Sequence, residues 1–401
     1  MKKHFFVLSF CFLLVYMNCF SQQVEIKNYS FLNLEKNNII FYGQSENMFK
    51  PLSDKFRSMI ITGKEQINVL HLGDSHLQAD LMSGEIRKNF QSFLPGLQGS
   101  RGMITPYMRN CPDSYKLNFS KNWHPINILS NTENYNKGLW AYSVYTDSSK
   151  ETININVNNK NPIKYDFNSF RVYHSDLTEG DNLKISSTNV AYREIYNKES
   201  GYTEYILSDY VSSIEIEILK KSQERFYIYG FYFQNEDAGV VYNVVGINGA
   251  SAFHYSNNAK LFTKQLSTLD FDFMIISLGT NDTYEPSGAT TFENNLHLLV
   301  YNIRNIYPNI PILLTTPTEC FWHRKKINPR MSQTISIIKS VAEKNNCALL
   351  DLYNVLGGEN SAKKLQAHHL MQKDLVHLTK EGYILVGDLI YNALWFAMIN
   401  R

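Results

Sequence analysis

Apolar and polar positions repeat with two different periods along this chain, and the change of period divides it into three parts. Between Gln22 and Glu65 the spacing of Met48, Leu52, Phe56 and Ile60 predicts a helix leading into a first strand. The apolar run Val69 to Leu72 is that strand, and it stops at Gly73-Asp74-Ser75. Leu77, Leu81, Ile86 and Phe90 then fall on a helical stripe, and Pro95-Gly96 with Gly99 to Gly102 mark a loop where the α/β pattern breaks off.

From about Tyr107 to Glu236 the period shortens to two, as in Thr152-Ile153-Asn154-Ile155-Asn156-Val157, Phe170 to Tyr173, Leu183 to Ile185, Ile214 to Leu219 and Phe226 to Phe233. Asn158-Asn159, Gly180-Asp181 and Ser200-Gly201 punctuate these runs as turns. Many short strands without helices predict a β-sandwich. The tyrosines here suit half-buried strands, which outweighs a sugar-stacking reading for any one of them.

Strand and helix alternate again from Val240. Tyr242 to Val245, Phe271 to Leu278, Ile310 to Thr315 and Ala348 to Leu352 predict strands; Ser256 to Leu269, Thr290 to Ile306, Ser332 to Lys344 and Thr379 to Met398 predict helices. Nearly continuous apolar strands separated by helices predict a doubly wound parallel sheet of flavodoxin-like, three-layer build. The β-rich segment is therefore an insertion, and the expected division is residues 22–106 and 237–401 for the two parts of the α/β domain and 107–236 for the inserted β-sandwich.

Composition adds a compartment. Lys2-Lys3, the apolar run Phe5 to Tyr16 and small residues in Cys19-Phe20-Ser21 ahead of Gln22-Gln23 predict a secretory signal peptide over residues 1–21. The run is too short for a transmembrane anchor, and no later membrane span is expected. Tyr16-Met17-Asn18 are not the small residues expected before a lipid-attachment cysteine, which weighs against an anchor at Cys19. Removing the leader takes away two lysines and no acid, so a formal charge of +2 falls to zero and no nucleic-acid partner is implied. It leaves Cys111, Cys320 and Cys347, too few and too scattered for a disulfide scaffold or a metal site.

The candidate chemistry sits on loops that follow apolar strands. Ser75 occupies a strand-turn-helix of the kind that presents nucleophilic serines, with unpaired helix N–H groups nearby. Gly246-Ile247-Asn248-Gly249-Ala250-Ser251 lets a backbone N–H point into a cleft, and Gly279-Thr280-Asn281-Asp282 offers the Asn281 amide. In Asp374-Leu375-Val376-His377 a spacing of three lets the carboxylate reach imidazole Nδ1, leaving Nε2 to take the serine proton. Each short motif is common by itself; their occurrence in this order is not.

These four blocks resemble the SGNH (GDSL-type) hydrolases: Gly73-Asp74-Ser75, Gly249, Gly279-Thr280-Asn281-Asp282 and Asp374-x-x-His377. His76 departs from the leucine of the family's name. Gly-Asp-Ser-His with a β-domain inserted after the first block is similar to peptidoglycan O-acetylesterases that carry an inserted carbohydrate-binding module, a jelly-roll-like fold. The resemblance implies Ser75 as nucleophile, His377 as base, Asp374 as its orienting partner, and Ser75 N–H, Gly249 N–H and Asn281 as oxyanion-hole donors, with no cofactor and no metal. It implies an exported, periplasmic or cell-envelope serine esterase acting on an acetylated glycan, peptidoglycan first. Acetyl transfer, action on another glycan and a catalytically inactive carbohydrate-binding protein stay open at this point.

Other residues have plainer readings. His76 reads as a wall of the site, His71 as a satisfied core histidine, and Asp74 and Asp80 as holding the turn and the next helix through hydrogen bonds. His368-His369 lack metal-ligand spacing. Trp322 and Arg324, on a loop after a strand, are candidate cleft residues.

Overall fold

The computed structural model describes residues 23–400 apart from 109–111, 113, 131–137, 159–162, 258 and 285–287. The predicted signal peptide with Cys11 and Cys19, together with Cys111 and Asn159, lies outside the described residues.

Among the described residues, six strands form one sheet in the order Ile40–Phe41, Ala348–Leu350, Ile312–Thr315, Phe273–Ser277, Gln66–Gly73, Gly239–Gly246. All neighbours are parallel except the first pair, where Ile40–Phe41 runs antiparallel along the edge. Side chains of a strand alternate between faces, and Gln66–Gly73 uses both: Ile67 and Val69 enter one apolar core, Leu70 and Leu72 the other. Helices Ser45–Thr62, Met82–Ser92 and Lys380–Ile399 cover the first face through Phe49, Phe56, Ile86, Phe90 and Trp395. Helices Gly288–Ile306 and Met331–Lys344 cover the second through Leu299, Ile303, Ile338 and Val341. Each such side chain buried from water contributes roughly 1.5–3 kcal/mol.

Three elements differ from the pattern-based expectation. The first helix buries Phe49, Leu52, Phe56 and Met59, one position off the expected stripe, so Met48 and Ile60 lie half-buried at its margin. The stretch expected as one helix over 256–269 is two, Ala252–Ser256 and Ala259–Leu266. The helix after Ser75 also breaks, into Ser75–Gln78 and Met82–Ser92, because Asp80 takes a left-handed conformation (φ 55°). The last helix, Lys380–Ile399, is long and apolar enough to cross a membrane, but 72% of its most apolar window is buried, as in a core helix.

Between Gly73 and Gly239 the chain builds two antiparallel sheets. One carries strands from Gly102–Ile104 to Phe226–Gln234, the other Lys116–Phe119, Lys150–Asn156, Ser213–Leu219 and Asn182–Ser187. They pack face to face around Ile153, Ile155 and Ile216 on one side and Phe170, Val172 and Phe231 on the other. The chain therefore joins a parallel α/β sheet covered by helices on both faces to two added β-rich sheets.

A buried ion pair joins the two parts. Arg87 donates to both oxygens of Asp80 at 2.7 and 2.9 Å and to the Tyr242 carbonyl at 3.0 Å, tying the Met82–Ser92 helix to the edge strand. Arg101 and Ser114, at the entrance to the β-rich part, approach the same carboxylate at 3.9 and 3.3 Å. Burial works to raise the Asp80 carboxyl, and the Arg87 guanidinium outweighs it. Asp80→Asn keeps the shape and strands Arg87, so it should cost about 3 kcal/mol in urea unfolding.

Asp388 presents the opposite case. It is buried against Asn89, which donates to it at 2.8 Å, and burial raises its carboxyl to about 6. The native state then holds this proton more tightly than the unfolded chain, so stability falls as pH rises from about 4 to about 6. Asp388→Asn should stabilise the fold by about 1–2 kcal/mol at pH 7, with the gain vanishing at pH 4, read by thermal unfolding at both values.

Candidate active site

Strand register sets the site. Gly73 is level with Gly246 on one side and with Ser277 on the other, so the loops after all three strands leave the same sheet edge. Gly73 has no room for a side chain: a Cβ there would lie 2.8 Å from the Ser277 carbonyl oxygen, and one at Gly246 would lie 2.7 Å from Gln78 N. Two buried tyrosines fix the glycine carbonyls, Tyr255 Oη donating to Gly73 and Tyr107 Oη to Gly246, each at 2.6 Å. Neither tyrosine was marked by any motif.

Asp74 caps the short helix Ser75–Gln78, its carboxylate accepting from His76 N at 3.0 Å. Burial pushes this carboxyl up, against the pull of the neighbouring His76. Ser75 Oγ lies 3.0 Å from His377 Nε2, and His377 Nδ1 lies 2.7 Å from Asp374 Oδ2. The other Asp374 oxygen accepts from the N–H groups of Val376 and His377, both at 3.0 Å, in a turn where Leu375 has φ 56°. Partial burial works to raise the Asp374 carboxyl, but the hydrogen bonds from His377 and Val376 hold it below the ordinary carboxylate range. A carboxylate that stays ionised can hold the imidazole with Nδ1 protonated and Nε2 free to accept.

Gly249 takes φ +82°, a conformation that suits a residue without Cβ. Its N–H and that of Ser75 have no hydrogen-bond partner among the described residues. Asn281 Nδ2 donates to the Ala250 carbonyl at 2.8 Å, and its second hydrogen has only a 3.5 Å contact with Asp74 Oδ2. The structure thus brings together Ser75, His377 and Asp374 in one chain of hydrogen bonds, with the Gly249 and Asn281 loops on the same edge.

Three other histidines have defined surroundings. His71 is buried between Tyr242 Oη at 2.8 Å and Ser277 Oγ at 2.7 Å, and burial lowers it to about 3. His76 faces Tyr383 Oη at 3.1 Å, with its ring 5.5 Å from that of His377, and burial lowers its pKa. His368 packs against Tyr29 and Phe31. Among the described residues, no three His, Cys, Asp or Glu side chains are grouped to hold a metal. Cys320 and Cys347 are both buried free thiols.

A two-stranded hairpin, Phe321–Trp322 with Lys326–Ile327, borders the site. Phe321 N donates to the Leu375 carbonyl at 2.9 Å, and Trp322 stacks on Tyr284 at 5.2 Å, three residues after Asn281.

The family model for GDSL-like lipases and acylhydrolases matches residues 224–385. That stretch holds Gly249, Asn281, Asp374 and His377; Ser75 lies outside it, on the other side of the β-rich sheets in sequence. No curated protein matches the chain. Among solved structures, a peptidoglycan O-acetylesterase superposes with a TM-score of 0.71 at 18% identity, over 90% of this chain and 99% of that one. A lipase/acylhydrolase from Enterococcus faecalis matches with a TM-score of 0.32 at 21% identity, over 39% of this chain and 76% of that one.

If the second hydrogen of Asn281 turns to a developing oxyanion, Asn281→Ala should lower kcat by about 10²-fold with a small change in KM. A loss below about fivefold in ester turnover would remove Asn281 from the site.

Proposed function

We propose that this GDSL-type serine esterase is an exported enzyme that removes O-acetyl groups from a polysaccharide, with peptidoglycan as substrate. The observation that carries the reading is the hydrogen-bonded chain from Ser75 through His377 to Asp374, set beside two N–H groups that have no partner of their own. The likeness to a peptidoglycan O-acetylesterase over nearly the whole of both chains, β-rich sheets included, supports the choice of substrate. The leader-like residues 1–21 support export to where such a glycan lies.

In the proposed reaction Ser75 Oγ attacks the acetyl carbonyl while His377 Nε2 takes its proton. The oxyanion is held by the N–H groups of Ser75 and Gly249 and by Asn281 Nδ2. His377 returns the proton to the sugar oxygen as the C–O bond breaks, leaving acetyl on Ser75. Water, deprotonated by His377, then releases acetate and restores the serine. Asp374 orients the imidazole in both halves and stabilises its charged form.

The protein without residues 1–21 should release acetate from O-acetylated peptidoglycan, and Ser75→Ala should abolish that release. If the glycan is left intact while a small activated acetyl ester is cleaved through Ser75, the esterase stands and the peptidoglycan substrate falls.

A further inference from the structure

Beside the site stands a group of cations that the proposed chemistry does not use. The hairpin turn His323-Arg324-Lys325, followed by Lys326, is exposed throughout, and Arg324, Lys325 and Lys326 form no ion pair with a described residue. The chain as a whole is close to neutral, so this is a local excess and not a general basic character. Lys363 adds to it, its ammonium 5.7 Å over the Phe321 ring, and exposed Lys373 directly precedes Asp374.

Two of the three acids in the neighbourhood are otherwise engaged. Glu319 is buried and accepts from the N–H groups of Asn360 and Ala362 at 2.9 and 3.0 Å. Asp374 is bound to His377. Glu359, exposed on the neighbouring turn, makes no ion pair with the hairpin cations among the described residues.

The hairpin is also held firmly in place. Tyr284 Oη donates to the Phe321 carbonyl at 2.5 Å, Asn328 N donates to the Cys320 carbonyl at 2.9 Å, and Phe321 N binds the loop that carries His377. Arg330 lies 5.3 Å from the centre of the Trp322 ring, which also stacks on Tyr284. His323 and Arg324 both take positive φ, at 48° and 62°, where asparagine or glycine would fit with less strain. The tip follows directly on Phe321 and Trp322, which touch the loops that carry His377 and Asn281 through Leu375 and Tyr284.

We propose that Arg324, Lys325 and Lys326 bind carboxylates of the polysaccharide, so that the site selects an anionic acetylated glycan over a neutral one. This rests on the glycan O-acetylesterase reading above. Cations fixed at a cleft edge attract a polyanion and set its register before the ester reaches the serine. The carboxylates belong either to the sugar itself or to peptides attached to it.

The test is co-sedimentation of the Ser75→Ala protein, which binds without turnover, with three forms of O-acetylated peptidoglycan. One is native, one has its carboxyls amidated with carbodiimide and ammonia, and one has its peptides removed enzymatically. Amidation should raise the apparent Kd roughly tenfold, as three exposed ion pairs together supply. Adding Arg324→Ala, Lys325→Ala and Lys326→Ala should raise it by the same factor on native glycan and change little on the amidated form, with an unchanged unfolding temperature. Peptide removal by amide hydrolysis frees one sugar carboxylate for each peptide lost, so binding kept on this form shows that a sugar carboxylate suffices, and binding lost assigns the contact to the peptide. Equal binding to native and amidated glycan, or an equal loss in the triple variant on both, overturns the proposal. Because binding is read in the absence of turnover, the result is separate from whether the intact enzyme releases acetate.

Discussion

Everything at the site depends on the level at which three parallel strands end. Gly73, Gly246 and Ser277 share one register, and the space around the two glycines is too small for a Cβ. With a larger residue at Gly73 the Gln66–Gly73 strand would have to move away from Ser277, carrying Ser75 away from His377, which is 302 positions distant in sequence. The catalytic geometry is thus a property of sheet packing. Tyr255 and Tyr107 reinforce it by holding the glycine carbonyls, one from a helix of the α/β part and the other from the approach to the β-rich sheets.

That dependence explains why the insertion is tied in so firmly. A chain that leaves the α/β part after the first helix pair and returns at Gly239 could disturb the edge strand on which Gly246 and Gly249 rely. The buried Asp80–Arg87 pair, bonded to Tyr242 on that strand, and Arg101 beside it fasten the edge at the point of exit. Such pairs contribute modest net stability, but breaking one partner is costly, which makes them effective at specifying a single arrangement.

Much of this was legible in the sequence. The fold class followed from the change of period between 2 and 3.6, and Ser75, His377 and Asp374, read from motif order, meet in space. The division of the helix after Ser75 was not legible, because it turns on a positive φ at Asp80, a residue paired with buried Arg87, and periodicity carries neither signal. The split of the 256–269 helix, the Phe321–Ile327 hairpin and the short helices over 352–367 were missed for a related reason. Segments of two to eight residues fix their shape through contacts made by distant parts of the chain. Tyr107 and Tyr255 left no trace because a tyrosine that donates to a backbone carbonyl has the same sequence context as any half-buried tyrosine.

The electrostatics of the site show a consistent division of labour. Of the ionisable groups closest to Ser75, burial pushes Asp74 toward its neutral form and lowers the pKa of His76, while hydrogen bonds keep Asp374 ionised. The Asp374 carboxylate alone is hydrogen-bonded to the His377 imidazole among the described residues. If His76 were charged, its ring at 5.5 Å would oppose protonation of His377 at the moment the serine gives up its proton. His76, which stands where related motifs have leucine, is half-buried against Tyr383 and has its pKa lowered by that burial.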